Sequence, residues 1–169
     1  MAPKKLLGDW AELAVAADLA SYGYSIQFPF GEDSNYDLAI ERNGSLERVQ
    51  VKYARSRGGV VAVRCCSQSL TKGVVRQTKR YTSAMIEWLA VFDAGTQRCF
   101  YIPSEELGDG MSLIHLRLTP PANNQAKGIR MAADYETLPP RVTRLAGPEV
   151  EPAGIEPATS NLQNSRSPN

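Results

Sequence analysis

The sequence predicts an α/β protein of the α+β sandwich kind, a mixed sheet flanked by helices. Three observations carry that reading. An apolar-periodic helix opens the chain, the hydrophobic period changes from 3.6 to 2 after Gly23, and the later segments run strands, helix, strands. With 169 residues, 43% of them hydrophobic, one proper core can be filled.

The helix comes first. Pro3 suits a position in or just before a first turn, and Gly23 suits the end. Trp10, Leu13, Ala17 and Ala20 recur at helical spacing and are the expected buried stripe. Glu12, Ala16 and Leu19 form the adjacent stripe, so Glu12 should project from the edge of the buried face. Tyr24–Phe28 is a short strand closed by Pro29, followed by a polar loop through Asn35. Tyr36–Arg42 and Ser45–Ala54 then flank Asn43-Gly44, the strongest short hairpin signal, because a type I′ turn needs positive φ at both central residues. Val60–Arg64 is expected as a third strand of this sheet, and a short helix is expected around Thr78–Ile86. Trp88–Asp93, Cys99–Ile102 and Met111–Leu118 are further strands, and a covering segment follows Thr119-Pro120-Pro121. Residues 1–145 make one domain. From 146 to 169 the chain is Pro, Gly, Ser, Asn and Glu with few large apolar residues, and this tail is expected to be disordered.

Several classes are disfavoured early. No apolar run approaches the roughly 18–20 residues that span a bilayer, and the N-terminus lacks a signal peptide's apolar stretch. Three cysteines, two of them adjacent, make a poor disulfide framework and no CxxC pair, so a reducing, cytoplasmic location is expected. His115 is the only histidine, which argues against a histidine-based triad or a zinc site. Gly108-Asp109-Gly110 is a turn, since no phosphate-cradling pattern follows it.

Charge is distributed unevenly. Between Arg48 and Arg80 lie nine basic residues, and no Asp or Glu occurs between Glu47 and Glu87. The rest of the chain carries 10 basic against 18 acidic residues. Arg55, Arg57, Arg64, Lys72, Arg76, Lys79 and Arg80 are therefore the expected polyanion-binding face, with an unpartnered solvated face as the bland alternative.

If Asn43 and Gly44 are the turn, Asp37 falls opposite Gln50. Lys52 then shares Gln50's face, while Val49, Val51 and Tyr53 take the other. A bulge would exchange these faces locally. A carboxylate, an amide oxygen and an ammonium gathered there suit phosphodiester hydrolysis, which needs a hard cation, an attacking water and positive charge. Mg²⁺, with Mn²⁺ as a substitute, takes oxygen ligands and needs one or two carboxylates. Asp37, the Gln50 amide, the Val51 backbone carbonyl and Glu12, the last through water, form the candidate ligand set. Lys52 faces the phosphate or helps deprotonate the water. Taken singly, Glu12 could be a capping residue of the pattern Asp9-x-x-Glu12, and Gln50 and Lys52 could be solvent-facing strand positions.

As a set, Glu12, Asp37 in Asn35-Tyr36-Asp37-Leu38, and Gln50-Val51-Lys52 resemble the PD-(D/E)XK nuclease pattern. The chain looks most similar to the group I intron-associated homing endonucleases of that superfamily. Gly8-Asp9-Trp10-Ala11-Glu12, Trp88-Leu89-Ala90-Val91-Phe92 and Tyr101-Ile102-Pro103 extend the likeness over about residues 6–136. The resemblance implies a restriction-endonuclease-like core, catalysis by Glu12, Asp37, Gln50 and Lys52, Mg²⁺ dependence and cleavage of double-stranded DNA. It also implies a homodimer or homotetramer. Gln50 departs from the superfamily's usual Asp or Glu and removes one negative ligand. Holliday junction resolvases share the core and are the nearest competing activity, and a non-catalytic DNA-binding module is the other alternative. Gly154-Ile155-Glu156-Pro157 is also what the complement of a tRNA gene's T-arm encodes in one frame, a further hint of a homing context.

Overall fold

The computed structural model describes residues 3–31, 34–71, 74–120 and 127–138, with the side chains of 68–77 left out. The expected tail, residues 146–169, therefore lies outside the described residues, as does Lys72.

Helix α1 spans Lys4–Ser21, with Pro3 at its N-cap and Gly23, at φ 85°, turning the chain out of it. Its buried stripe is Ala11, Val15 and Leu19. This corrects the sequence expectation. Of the expected stripe, Leu13, Ala17 and Ala20 face outward, Leu13 being 66% exposed, while Trp10, 43% exposed, rests its ring on Phe92 and Tyr53. Both stripes have helical period, so periodicity alone could not say which one meets the sheet. The helix begins at Lys4, so Asp9 and Glu12 lie well inside it and the capping reading of Glu12 falls away.

The main sheet has five strands in the order β1-β2-β3-β7-β8. These are β1 (Ser25–Gln27), β2 (Leu38–Arg42), β3 (Ser45–Ala54), β7 (Trp88–Asp93) and β8 (Arg98–Pro103). Pairing is antiparallel except between β3 and β7, which run parallel, so the sheet is mixed as expected. Asn43 and Gly44 both have positive φ, 51° and 72°, and β2 pairs β3 without a bulge from Arg42↔Ser45 to Leu38↔Val49. A buried cluster fixes the turn end of this hairpin. Glu47 Oε2 accepts from Arg42 Nη1 at 3.0 Å and from the Trp88 indole N–H at 2.6 Å. Removing one partner of such a buried pair costs about 3–5 kcal/mol, because the other charge is left without compensation.

Between β3 and β7 come β4 (Val60–Arg64), β5 (Cys66–Thr71) and β6 (Val74–Arg80); β9 (Leu113–Arg117) and β10 (Arg130–Met131) follow β8. Two expectations are corrected here. β4 does not join the main sheet but pairs with β9 in a second, three-stranded sheet of order β10-β9-β4. The two glycines at 58 and 59, with φ 57° and 74°, turn the chain out of the first sheet. The expected helix around Thr78–Ile86 is also absent. Residues through Arg80 continue strand β6, and only a turn closed by Met85 N–H to the Thr82 carbonyl follows. β5 and β6 form a two-stranded antiparallel ribbon, joined at its base by the Tyr81 N–H bonded to the Cys65 carbonyl. That hairpin pairing overrides the local helical spacing.

The main sheet is thus sandwiched. On one face Ala11, Val15 and Leu19 of α1 pack on Leu38, Ile40, Val49, Val51, Ala90 and Tyr101. Asp18 of α1 also accepts a 2.5 Å hydrogen bond from the Tyr101 hydroxyl, which anchors the helix to β8. On the other face Val61, Val63, Ile114 and Leu116 of the small sheet cover Leu89, Val91, Phe100 and Ile102. Two 3-10 helices, Ser104–Leu107 and Ala132–Tyr135, complete this layer, and the second of them supplies the covering segment that was expected after Thr119. No helix among the described residues is long and apolar enough to cross a membrane.

Candidate active site

The hairpin register brings the predicted site together. Asp37 immediately precedes β2, where its N–H still bonds to the Val49 carbonyl at 3.0 Å. Asp37 lies one residue outside β2, and its N–H bonds to the residue that Leu38 already faces across the hairpin, so strand alternation does not set its face. Its carboxylate lies beside the Gln50 amide and the Val51 N–H. Val49 and Val51 lie under α1. Asp37 Oδ2 accepts a 2.7 Å hydrogen bond from the Val51 N–H, and it also accepts from the Gln50 amide nitrogen. Gln50 is buried, and the same nitrogen lies 3.4 Å from the Val51 carbonyl oxygen.

Glu12 reaches the site from the edge of α1. It lines, with Asp37, a cleft of about 320 Å³ whose other walls include Phe28, Pro29 and Tyr36. Burial raises the Glu12 carboxyl above its ordinary range, and the neighbouring charge of Asp37 raises it further, with Lys52 acting in the other direction. Burial likewise raises Asp37, against the hydrogen bond from Val51 and the charge of Lys52. Two acids held this way favour a bound cation, whose charge offsets their desolvation. The Lys52 ammonium lies 4.9 Å from the centre of the Tyr81 ring, at the base of the β5–β6 ribbon.

The donor set fits a hard cation. Asp37 Oδ2 and the Val51 carbonyl converge on one point, marked by the Gln50 amide nitrogen. Rotating that amide by half a turn would turn its oxygen toward the same two groups, so that Asp37 Oδ2, the Val51 carbonyl and the Gln50 amide oxygen could share a cation lying among them. No group of three or more His, Cys, Asp or Glu side chains capable of holding a metal occurs among the described residues. The oxygen donors here are two carboxylates, the Gln50 amide and the Val51 carbonyl, and Mg²⁺, which retains several waters, needs no more.

The basic residues fall into three groups. Arg55, Arg57, Arg64 and Arg80 are exposed. Lys79 is half-buried and donates to Asn35 Oδ1, beside the loop that leads to Asp37. Arg76 lies on β6 with its side chain outside the description. Arg48 belongs to none of them. It forms a two-point ion pair with Glu87, at 2.7 and 3.1 Å, so it staples β3 to the turn before β7. Buried Asp93 orders the loop that carries Arg55 and Arg57. It accepts from the Ser56 N–H at 2.6 Å, from the Gly95 and Thr96 N–H groups, and from the Thr96 hydroxyl. Burial pushes this carboxyl up, but those hydrogen bonds outweigh it and hold Asp93 below its ordinary range.

Sequence reasoning missed Tyr81 under Lys52, and Phe28 with Tyr36 in the cleft wall. An aromatic directly beside a candidate acid was the available signal for Tyr36. Tyr81 offered none, since its approach depends on a ribbon that the sequence did not reveal.

The fold is similar to that of a bacterial homing endonuclease, I-Ssp6803I, with a TM-score of 0.63 and 21% identity, over 79% of this chain and 88% of that one. No curated protein matches the chain. Residues 2–138 match the family model described as PD-(D/E)XK endonuclease, and the chain belongs to that family.

Proposed function

We propose that this protein is a metal-dependent endonuclease that hydrolyses phosphodiester bonds in double-stranded DNA, and that it acts as a site-specific intron homing enzyme. The single observation that carries the reading is the convergence of Asp37 Oδ2 and the Val51 carbonyl on one point, beside Gln50, Lys52 and Glu12. When bound there, Mg²⁺, or Mn²⁺ in its place, supplies Lewis-acid polarisation of the phosphoryl oxygen. Asp37, Gln50 and the Val51 carbonyl hold it, and Glu12 orients a water on the cleft side. Lys52 contacts the scissile phosphate and offsets its developing charge. The likeness to a homing endonuclease supports the homing assignment, and the three free cysteines support a cytoplasmic one. Plasmid linearisation with Mg²⁺ and none with EDTA tests the proposal. DNA binding without cleavage under either condition would instead favour the non-catalytic module.

One such site cuts one strand, so a duplex break calls for two copies, and a homodimer or homotetramer is the symmetric solution. The outward stripe of α1, with Leu6 56% and Leu13 66% exposed, offers apolar surface for that contact. Leu13→Asp is expected to lower the mass seen by light scattering to that of a monomer and to convert linearisation into nicking. An unchanged mass would place the interface elsewhere.

The raised carboxyls set a pH dependence. A group whose pKa rises on folding favours the folded state at low pH, and that contribution is lost as pH climbs through the folded value. At neutral pH, ionised Asp37 and Glu12 therefore burden the metal-free fold, and Mg²⁺ relieves them. Addition of Mg²⁺ should raise the thermal midpoint at about pH 8 by several degrees and progressively less as pH falls towards about 5. Asp37→Asn should raise the metal-free midpoint and abolish the Mg²⁺ response. An equal Mg²⁺ response in that variant would mean the ion binds elsewhere.

A further inference from the structure

Phe28 borders the active-site cleft and Phe30 stands two residues beyond it, and neither ring is covered among the described residues. Phe28 is 57% exposed and Phe30 is fully exposed, on the short connection that leaves β1. Pro29 stands between them, fixing φ, and Gly31 at φ 91° turns the chain immediately afterwards, so the pair sits on a stiff projection. Phe28 and Pro29 line the cleft that holds Glu12 and Asp37. On their other side they line a second pocket of about 240 Å³, shared with Tyr36 and Gln27. The Phe28–Pro29 segment thus stands between the carboxylates and a pocket walled by Phe28 and Tyr36, with the Gln27 amide and the Glu87-paired Arg48 among its lining.

Building on the nuclease reading, we infer that Phe28 and Phe30 form a stacking platform for nucleobases beside the scissile phosphate, and that one unstacked base enters the Phe28–Tyr36 pocket. Leaving two large aromatic rings in water at an active-site rim is unfavourable unless the ligand covers them. Bases supply flat π faces of the right size, and every base has one, so stacking tolerates sequence variation. A base drawn out of the helix is typically held between aromatic or apolar walls and touched on its edge by a polar group, which Gln27 can provide as donor or acceptor. Unstacking also loosens the backbone at the step where cleavage occurs. The cost of unpairing is smallest where bases are already mismatched. The platform should therefore show itself as a preference for such DNA.

The test uses two fluorescent duplexes of one sequence, one fully paired and one with two central mismatches, titrated in EDTA so that cleavage plays no part. Wild-type protein should bind the mismatched duplex about ten-fold more tightly, within the range that stacking one base supplies. Phe30→Ala should lose this preference while the slope of log affinity against log salt stays constant, since no phosphate contact is removed. Phe30→Trp should retain the preference, whereas Phe30→Leu should lose it, because bulk without a π face does not stack. Phe30 is fully exposed, so these variants should melt as wild type does. Equal wild-type affinities, or a full preference in Phe30→Ala or Phe30→Leu, overturn the platform. So does a drop in mass for Phe30→Ala by light scattering, which would show a second copy covering the rings. Plasmid linearisation by the same wild-type protein with Mg²⁺ keeps the nuclease reading separate. Cleavage without a mismatch preference defeats the platform alone, while failure to cleave with the preference intact defeats the nuclease reading and leaves the platform standing.

Discussion

Asp37→Asn is expected to abolish DNA cleavage while leaving DNA binding intact or tighter. The asparagine amide oxygen can still accept the Val51 N–H, which Asp37 Oδ2 now receives at 2.7 Å, so the local fold should survive. What disappears is the negative charge that anchors the cation, and with it a repulsion toward phosphate. Lys52→Ala should also abolish cleavage, but with modestly weaker binding, because it removes a positive charge from the same face. Its loss leaves Tyr81 without the ammonium above its ring and opens no fully buried charge. Losing one such transition-state contact typically costs about 10²–10³ in rate. Neither substitution should change ground-state affinity by nearly as much. The two variants therefore move binding in opposite directions while both suppress catalysis, a pattern that unfolding or a surface role cannot produce. Single-turnover cleavage alongside gel-shift titration reads both quantities, and retained cleavage in Asp37→Asn would remove this site from consideration.

DNA affinity should fall roughly 500-fold between about 50 and 200 mM salt if about five phosphates are neutralised, from a slope near −0.9 per contact. Arg55, Arg57, Arg64 and Arg80 are exposed and free to make such contacts, and Lys79 beside Asn35 can add a fifth. The structure sharpens the expectation by separating Arg48 from them. Its guanidinium is committed to Glu87, whose hydrogen bond and charge raise it further and keep it paired. Arg55→Ala with Arg57→Ala should shallow the salt slope by about two contacts, whereas Arg48→Ala should leave the slope unchanged. A flat salt response of the wild-type protein, or a slope change on removing Arg48, would contradict the assignment.

The sequence alone determined the local geometry of the site. Asn43-Gly44 dictates a type I′ turn, the turn dictates the register as far as Leu38↔Val49, and that register brings Asp37, just past its end, beside Gln50. Each of those steps depends on residues only a few positions apart, which is why they were legible without coordinates. Strands β2, β3, β7 and β8 were legible for a related reason, because period-2 runs closed by turn residues leave little else for the chain to do. What only the tertiary structure decided involves choices between equivalent local solutions. Helix α1 carries two apolar stripes, and packing on Leu38 and Val51 selected the one led by Ala11 and Val15. β4 could have extended the first sheet, but two glycines and the partner β9, some fifty residues downstream, drew it into another. The segment through Arg80 has helical spacing, yet pairing with β5 made it a strand and so brought Tyr81 beneath Lys52. In the first two cases a long-range contact outweighed a local preference of a few tenths of a kcal/mol per residue, and no short window of sequence contains that contact; in the third, pairing between hairpin neighbours outweighed the helical spacing.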